Sequence, residues 1–367
     1  MSAMEASLWE KLPLDILYHI LAKLPLRALM RLQCVSKHWQ SVIENPATLA
    51  LSRPLKTPLM AEPMLAVGYE GKESLEWTTY DFEWKRWSIM PAFPETVRAA
   101  AASGEKVDYF SAGGLLFFML SSYTNRSDTR CLVYNPLTKA SRELPPFARD
   151  WVCGAFAHPI ADTEADTYKF MMGDQEHWAR FNSTSQSWDE GTIHGVGCLA
   201  SGTKGVQCKD LLFFVVPTMR GKSDLATYNS KTNVWLDTFD YEQQAEVGYH
   251  LNNRGYSESN RIFEWDGSLF LMTTLDGCVS ELDLVSKNWT KRFEMPRNIL
   301  GEFEKIQNCI AKGNRLCVVG SAKARRYSSL FVVYLKQEER WDKLEPCPHD
   351  KSTDAQSFLF QPSLLSV

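Results

Sequence analysis

The sequence lacks the features that mark several common classes of protein. No apolar run reaches the roughly 18 residues that a membrane-spanning helix needs. The segment from Met1 to Trp9 has neither the charged nor the apolar region of a signal peptide. No P-loop, G-x-S-x-G or H-E-x-x-H motif occurs. We therefore expect no contact with membranes, and no familiar catalytic motif is present.

Charge of one sign is not in excess either. The 367 residues include 40 Lys and Arg against 44 Asp and Glu, which gives a net charge of −4. Without a basic excess we expect no direct binding of nucleic acid. Hydrophobic residues make up 44% of the chain and charged residues 23%, which excludes disorder as the main state.

The cysteines do not form a disulfide or metal pattern. Nine of them stand at irregular spacings, which favours reduced thiols and a cytoplasmic or nuclear protein. Cys347-Pro348-His349 offers one Cys and one His without a second pair. Cys198 and Cys208, near His194, fit buried free thiols better than ligands. The sequence thus predicts no metal, no cofactor and no catalytic residue.

The first fifty residues show helical periodicity. Leu12-Pro13-Leu14-Asp15 is typical of a helix start. It leads into an apolar stripe that Pro25 ends: Ile16, Leu17, Ile20, Leu21 and Leu24. A second stretch carries Leu29, and Ser36 is a candidate N-cap for a third helix that contains Trp39. Helices this short cannot bury all these side chains among themselves, so they pack either on the rest of the chain or on a partner.

These elements together resemble an F-box. The two Leu-Pro pairs and the run Cys34-Val35-Ser36-Lys37-His38-Trp39 agree with that family in order and spacing. The resemblance implies docking on the Skp-type adaptor of a cullin–RING ubiquitin ligase. The positions that it assigns to adaptor binding are Leu12, Pro13, Ile16, Leu17, Ile20, Leu24, Pro25, Leu29, Val35, Ser36, Lys37 and Trp39. Sequence does not separate those that face the adaptor from those in the domain's own core.

The remainder of the chain repeats a short motif. An aromatic or aliphatic residue precedes Asp or Asn, and Trp follows six residues after that turn residue, as in Tyr80-Asp81…Trp87 and Tyr228-Asn229…Trp235. The turn position recurs at 81, 135, 182, 229, 283 and 335, so the intervals are 54, 47, 47, 54 and 52 residues. The copy at 335 lacks the turn acid, and the copy at 135 lacks the Trp.

A period near 50 residues is typical of kelch-like propeller blades, each a four-stranded sheet. Asp or Asn predicts a tight turn, after which Trp starts the outer strand and packs over that turn. Apolar runs such as Leu115–Met119 predict strands buried on both faces. Six copies therefore predict a six-bladed, all-β propeller after a small all-α domain. The stretch from Gly113 to Pro146 also resembles the F-box-associated domains of plant proteins.

The domain limits follow from these patterns. We expect an F-box-like domain at residues 6–50, a proline-rich linker at 51–63 and the propeller at 64–367. The first blade has only three strands of its own. An isolated strand near 357–361 is therefore expected to complete it and close the ring.

Two loop segments are candidates for binding a target. One mixes aromatic, amide and Arg side chains, a composition common at binding hot spots, and the other is a short basic cluster. Their candidate residues are Tyr249, His250, Asn253, Arg254, Tyr256, Arg325 and Arg326. A solvated loop is the alternative for each of them.

Three functions are compatible with this organisation. The resemblance implies a substrate receptor of an SCF-type ubiquitin ligase, a non-enzymatic subunit whose partners are the adaptor, cullin, RING subunit and an unknown target protein. A non-proteolytic bridging or co-regulator role is the first alternative. A propeller enzyme with an accessory helical domain is the second.

Overall fold

The computed structural model shows a helical N-terminal region and six β-sheets. The residues that it describes are 12–23, 32, 35–44, 64–70, 75–82, 84–90, 92–122, 129–136, 138–147, 156–162, 165–174, 176–193, 203–217, 223–240, 261–323, 328–348, 356–360 and 367. Among these residues, none of the helices combines the length and the apolar character required to cross a bilayer.

Two helices form the N-terminal region, α1 (Leu14–Lys23) and α2 (Lys37–Glu44). Leu17 and Leu21 of α1 pack against Val42 and Ile43 of α2, and all four side chains are buried. Leu32 and Trp39 pack against this cluster. The helical period of the sequence thus places one leucine stripe in a small core.

Twenty-five strands form the six sheets, and in the described chain each sheet supplies one blade. The first five are β1 (Met64–Glu70), β2 (Leu75–Asp81), β3 (Arg86–Ile89), β4 (Lys106–Ala112) and β5 (Leu115–Ser121). Next come β6 (Arg130–Tyr134), β7 (Ser141–Glu143), β8 (Phe156–Asp162), β9 (Thr167–Gly173), β10 (His177–Asn182) and β11 (Ser187–Thr192). The middle of the chain gives β12 (Thr203–Lys204), β13 (Val206–Cys208), β14 (Leu211–Pro217), β15 (Ser223–Asn229) and β16 (Val234–Asp240). The last nine are β17 (Arg261–Trp265), β18 (Ser268–Met272), β19 (Cys278–Leu282), β20 (Trp289–Glu294), β21 (Phe303–Lys312), β22 (Arg315–Ala322), β23 (Ser329–Leu335), β24 (Arg340–Lys343) and β25 (Gln356–Phe360).

Every blade is an antiparallel meander, and neighbouring blades share their burial. The sheet orders are β25-β1-β2-β3, β4 to β7, β8 to β11 with β12 beside β8, β13 to β16, β17 to β20 and β21 to β24. Six apolar clusters lie between consecutive blades, and the sixth joins Leu65 and Val67 of the first blade to Val319 and Phe331 of the last. The prediction of a six-bladed propeller behind a short helical region is confirmed.

The shared clusters explain the continuous apolar runs. Side chains of a strand alternate between its two faces, and in this ring both faces meet another blade. Phe118 of β5 packs toward the first blade, whereas Phe117 next to it packs toward the third. A blade in a ring therefore needs apolar residues at successive positions of its inner strands.

The marker residues form the turns that lead into the outer strands. In five blades the marker's side-chain oxygen accepts a backbone N–H two or three residues later. The donors are Trp84 for Asp81, Thr138 for Asn135, Thr184 for Asn182, Lys231 and Thr232 for Asn229, and Val285 and Ser286 for Asp283. Such bonds define Asx turns.

The sixth copy replaces the missing turn acid with a residue from another hairpin. Leu335 has no oxygen in its side chain, and the Asn314 side chain accepts the Gln337 N–H at 2.7 Å instead. The Asn314 carbonyl accepts the Lys336 N–H at 2.9 Å. The turn is thus held from the β21–β22 connection, which lies far from the motif in sequence.

The tryptophans connect blades rather than only covering their own turns. Each pairs across the outer two strands with the residue before the marker, as in Tyr80–Trp87, Phe181–Trp188 and Tyr334–Trp341. In three of the five copies the indole N–H then donates to a carbonyl at or just beyond the end of the preceding blade's outer strand. The acceptors are Glu345 for Trp87 at 2.8 Å, Pro145 for Trp188 at 2.9 Å and Glu294 for Trp341 at 3.2 Å.

The C-terminal strand lies at the inner edge of the first blade. β25 pairs antiparallel with β1, with Phe358 opposite Ala66. The Phe358 ring stacks on Trp77 at 6.4 Å and meets Tyr109 of the second blade edge-on at 5.8 Å. The Asn308 amide of the last blade donates to the Ser357 carbonyl at 2.7 Å. One strand therefore contacts three blades.

Three connections have structure that the sequence did not predict. The segment Glu95–Ala102 forms a helix, α3, whose Val97 and Ala100 are buried between the first two blades. Arg297–Leu300 forms a single helical turn, α4, and Phe303 already begins β21. The two-residue strand β12 runs parallel to β8. Two of these connections between blades are therefore helical.

Candidate functional site

The helical region leaves several large apolar side chains exposed. Leu14, Ile16 and Val35 are 51%, 46% and 66% exposed, whereas Leu17 and Leu21 of the same region are buried. Pro13 is exposed beside them. We call Pro13, Leu14, Ile16 and Val35 the docking surface. Several exposed apolar side chains in so small a region are consistent with a surface that binds another protein.

Local hydrogen bonds fix the backbone that carries these side chains. The Pro13 carbonyl accepts the Leu17 N–H at 3.0 Å, which starts α1 on a residue that needs no N–H partner of its own. The Ser36 hydroxyl accepts the Trp39 N–H at 3.2 Å and caps α2. Val35 is therefore held next to a helix start.

The predicted adaptor-binding residues separate into three groups. Pro13, Ile16, Val35, Ser36 and Lys37 are exposed. Leu17 is buried in the core between the helices, whereas Leu12, Ile20 and Trp39 are half-buried. Leu24, Pro25 and Leu29 lie outside the described residues. Leu14 is exposed and was not among the predicted residues, although it stands between Pro13 and Asp15 in the same motif.

The propeller offers a second surface on one face of its ring. In an antiparallel blade the second-to-third hairpin lies on the same face as the connection to the next blade. That face carries α3, α4 and the turn between β18 and β19. The candidates Tyr249, His250, Asn253, Arg254, Tyr256, Arg325 and Arg326 lie outside the described residues, but their flanking strands end and begin on this face.

A cleft of about 500 Å³ opens on this face between the fifth and sixth blades. The start of β17, the β18–β19 turn, α4, the start of β21 and Lys323 line it. The Arg261 guanidinium crosses between the blades and donates from Nε and Nη2 to the Ile306 carbonyl at 3.2 and 2.9 Å. The lining includes four basic residues and two acidic ones.

The titratable groups with strongly shifted pKa values are buried between blades. Burial raises the pKa of the Cys309 and Cys317 thiols to about 12, so both stay protonated. Burial lowers the pKa of His158 to about 4, against the opposing effect of a hydrogen bond with the Gly205 backbone. Within the described ranges no three His, Cys, Asp or Glu side chains are grouped as metal ligands. These shifts follow from packing.

The helical region belongs to a known domain family. Residues 9–49 match the F-box domain. A short F-box region followed by a six-bladed propeller defines an F-box protein with a C-terminal propeller. F-box domains generally bind Skp1-type adaptors, and the docking surface lies within the matched residues.

Two curated relatives from Arabidopsis thaliana support this class. "F-box only protein 6" is 22% identical over 94% of this chain and 71% of its own length. An F-box/kelch-repeat protein is 26% identical over 38% of this chain and 32% of its own length. The chain is thus similar to plant F-box proteins, and its recognition as one of them with a propeller is confirmed.

Solved structures add little to this assignment. The crystal structure of TolB from Acinetobacter baumannii gives a TM-score of 0.43 at 10% identity, covering 83% of this chain and 73% of that chain. Superposition at this level carries no argument about function.

Proposed function

We propose that this chain is the substrate-recognition subunit of an SCF-type ubiquitin ligase. The F-box docks on the Skp-type adaptor, and through it on the cullin and RING subunits. The propeller, whose blades we regard as kelch repeats, holds a target protein near the ubiquitin-charged enzyme and raises the local concentration of its lysines. In this scheme the chain performs no bond chemistry itself.

The docking surface is the observation that carries the proposal. Three large aliphatic side chains stay exposed in this small helical region, and burying them against a partner would be favourable. The surface lies in the F-box match, so a Skp-type adaptor is the partner of suitable chemistry. The described cysteines are all free, which agrees with a reducing cytoplasm or nucleus as the proposed location.

Substitution of Val35 tests the adaptor step. Val35→Asp places a carboxylate in the docking surface, and desolvating that charge in the interface should reduce capture of a recombinant Skp-type adaptor at least tenfold. Val285→Asp makes the same chemical change at a propeller side chain that is 93% exposed, and we expect unchanged capture. Equal capture by wild type and Val35→Asp would contradict the proposal. Leu12→Ala combined with Pro13→Ala should also weaken capture.

A second measurement separates degradation from bridging. A full-length chain and one lacking residues 1–50 would each be used to isolate bound proteins, with and without inhibition of the ligase. A target that accumulates on inhibition and is retained by the truncated chain supports the receptor role. A bound protein whose amount and ubiquitination never change would indicate the bridging role instead.

A further inference from the structure

We propose that the cleft between the fifth and sixth blades binds an acidic segment of the target protein. The cleft joins four basic side chains in a chain whose net charge is −4. The inference rests on the proposed function, since it names the chemistry of the target at the propeller. It extends that function by assigning a site, and it commits to a peptide carrying Asp or Glu.

Three of the four basic side chains have no ion-pair partner within the described part of the chain. Arg297 on α4, Lys305 on β21 and Lys323 beyond β22 are all exposed around the cleft. Several exposed cations elsewhere on the propeller are paired, as in Arg292–Glu281 at 2.7 Å and Lys336–Asp266 at 3.1 Å. The cleft therefore concentrates unneutralised positive charge.

The two acidic residues of the lining offset only two of its four positive charges, so the lining stays net positive. The Asp276 carboxylate serves its own turn, because Oδ1 accepts the Cys278 N–H at 2.9 Å and the Thr273 hydroxyl. Glu304 is exposed and stands between Phe303 and Lys305 on β21. A ligand carboxylate can thus meet Arg297, Lys305 and Lys323 against two acidic charges, of which Asp276 is bound into its own turn.

The walls of the cleft suit a peptide rather than a bare polyanion. Leu275 is 47% exposed at the β18–β19 turn, and Leu300, Phe303 and Ile306 contribute apolar surface deeper in. The Thr274 hydroxyl in the wall is buried and makes no hydrogen bond within the described residues. The volume of the cleft, about 500 Å³, lies in the roughly 300–1,000 Å³ range of ligand-binding pockets. Mixed apolar and cationic walls fit a segment in which acidic and aliphatic residues alternate.

Fluorescence anisotropy with a defined probe tests the proposal. The probe is a short fluorescein-labelled peptide in which Glu alternates with Leu, and its matched control has Gln at every Glu position. The full-length chain should bind the Glu peptide at least roughly tenfold more tightly than the Gln peptide at low salt. Added salt should weaken the difference, because the cleft charges are exposed.

Charge reversals assign the binding to the cleft. Arg297→Glu combined with Lys323→Glu should weaken Glu-peptide binding roughly tenfold or more. Lys312→Glu, at the opposite end of the strand that carries Lys305, should leave binding within about twofold. Equal weakening by both variants, or equal binding of both peptides, would overturn the proposal. Tighter binding of a labelled oligothymidylate that depends on the same residues would overturn it as well.

Adaptor capture separates this inference from the proposed function. The Arg297→Glu, Lys323→Glu variant should still capture the Skp-type adaptor like wild type, and its near-ultraviolet circular dichroism should match that of wild type, which shows that the propeller is folded. If adaptor capture fails for wild type while peptide binding follows the cleft charges, the receptor role is wrong and the acidic-peptide site stands. If capture succeeds and the peptides do not discriminate, only the inference about the cleft is wrong.

Discussion

Arg180 shows how a single buried cation can join two blades. Its side chain is 7% exposed, and its guanidinium donates to groups in the third and fourth blades: the Asp189 carboxylate at 2.7 Å, the Tyr228 hydroxyl at 3.1 Å and the Asn233 amide oxygen. Burial raises the pKa of Tyr228, so the phenol stays neutral beside the cation. Removing the guanidinium would leave several of these groups unsatisfied.

We expect Arg180→Met to lower the free energy of unfolding by about 2–4 kcal/mol, measured by urea denaturation. Methionine keeps much of the apolar volume, so the change reports the lost polar network. Arg292→Met is the control, because the Arg292–Glu281 pair is more exposed and should contribute less than about 0.5 kcal/mol. A loss at Arg180 no larger than that at Arg292 would show that the network does not join the blades.

For single residues, the sequence predicts hydrogen bonds to nearby residues better than hydrogen bonds to distant ones. Ser36 was predicted to cap a helix and does so, and Asp and Asn at the markers form the expected turns. The acceptors of the tryptophan N–H groups lie more than 40 residues away in another blade. Their identity depends on how blades pack in the ring, which local patterns do not encode. Leu17 and Ile16, adjacent in one motif, fall in the core and on the surface because successive helical positions point in different directions.

At the scale of elements, the marker turn has a fixed backbone shape. The fourth residue after each marker has a positive φ: Lys85, Lys139, Gln186, Asn233, Lys287 and Glu339. None of them is glycine, so each turn holds an L-residue in a left-handed conformation that costs about 1 kcal/mol. The same conformation therefore occurs in all six turns, although the residue at this position varies from Lys to Gln, Asn and Glu.

Glycine at such a position should stabilise the protein. We expect Lys287→Gly to raise the free energy of unfolding by about 0.5 kcal/mol, because relief of the left-handed strain exceeds the added freedom of the unfolded chain. Denaturant titration of the purified chain measures the difference.

Val285→Gly is the matched control in the same turn. Val285 has no positive φ and its side chain is 93% exposed, so glycine there should lower stability by about 0.5–1 kcal/mol through chain entropy alone. If both substitutions destabilised the protein to the same extent, the left-handed residue would not be strained.

The repeat predicted most elements but not those between blades. Strands such as β5, β14, β18 and β22 match the apolar runs because an inner strand buries both faces. The sequence did not predict the helix α3, because only Val97 and Ala100 of this short alanine-rich segment are buried and no apolar stripe marks it. β12 is two residues long, so no period of two can reveal it. The cleft between the fifth and sixth blades is lined in part by such connections, so the sequence did not predict it either.

At the scale of the molecule, ring closure makes every blade depend on its two neighbours. The six shared apolar clusters mean that opening one interface exposes side chains of two blades. β25 closes the ring non-locally, since it pairs with β1 almost 300 residues earlier in the chain. Its contacts with Trp77, Tyr109 and Asn308 reach the first, second and sixth blades. The last strand should therefore stabilise the ring as a whole rather than one edge.

Deleting residues 355–367 tests this dependence. The deletion removes Phe358 from between Trp77 and Tyr109 and leaves the backbone edge of β1 unpaired, so we expect a loss of at least about 3 kcal/mol and a lower melting temperature for the entire propeller. Near-ultraviolet circular dichroism follows the aromatic core through the transition.

A peptide that replaces the missing strand gives a second test. Because the deletion removes a single strand beside β1, a synthetic peptide of residues 355–367 should bind there and restore much of the lost stability. The same peptide with Phe358→Ala should restore less, since it keeps the backbone bonds and lacks the ring. A truncated chain that melts like the full-length protein would show that the remaining interfaces hold the ring without closure, and β25 would then be only an added edge strand.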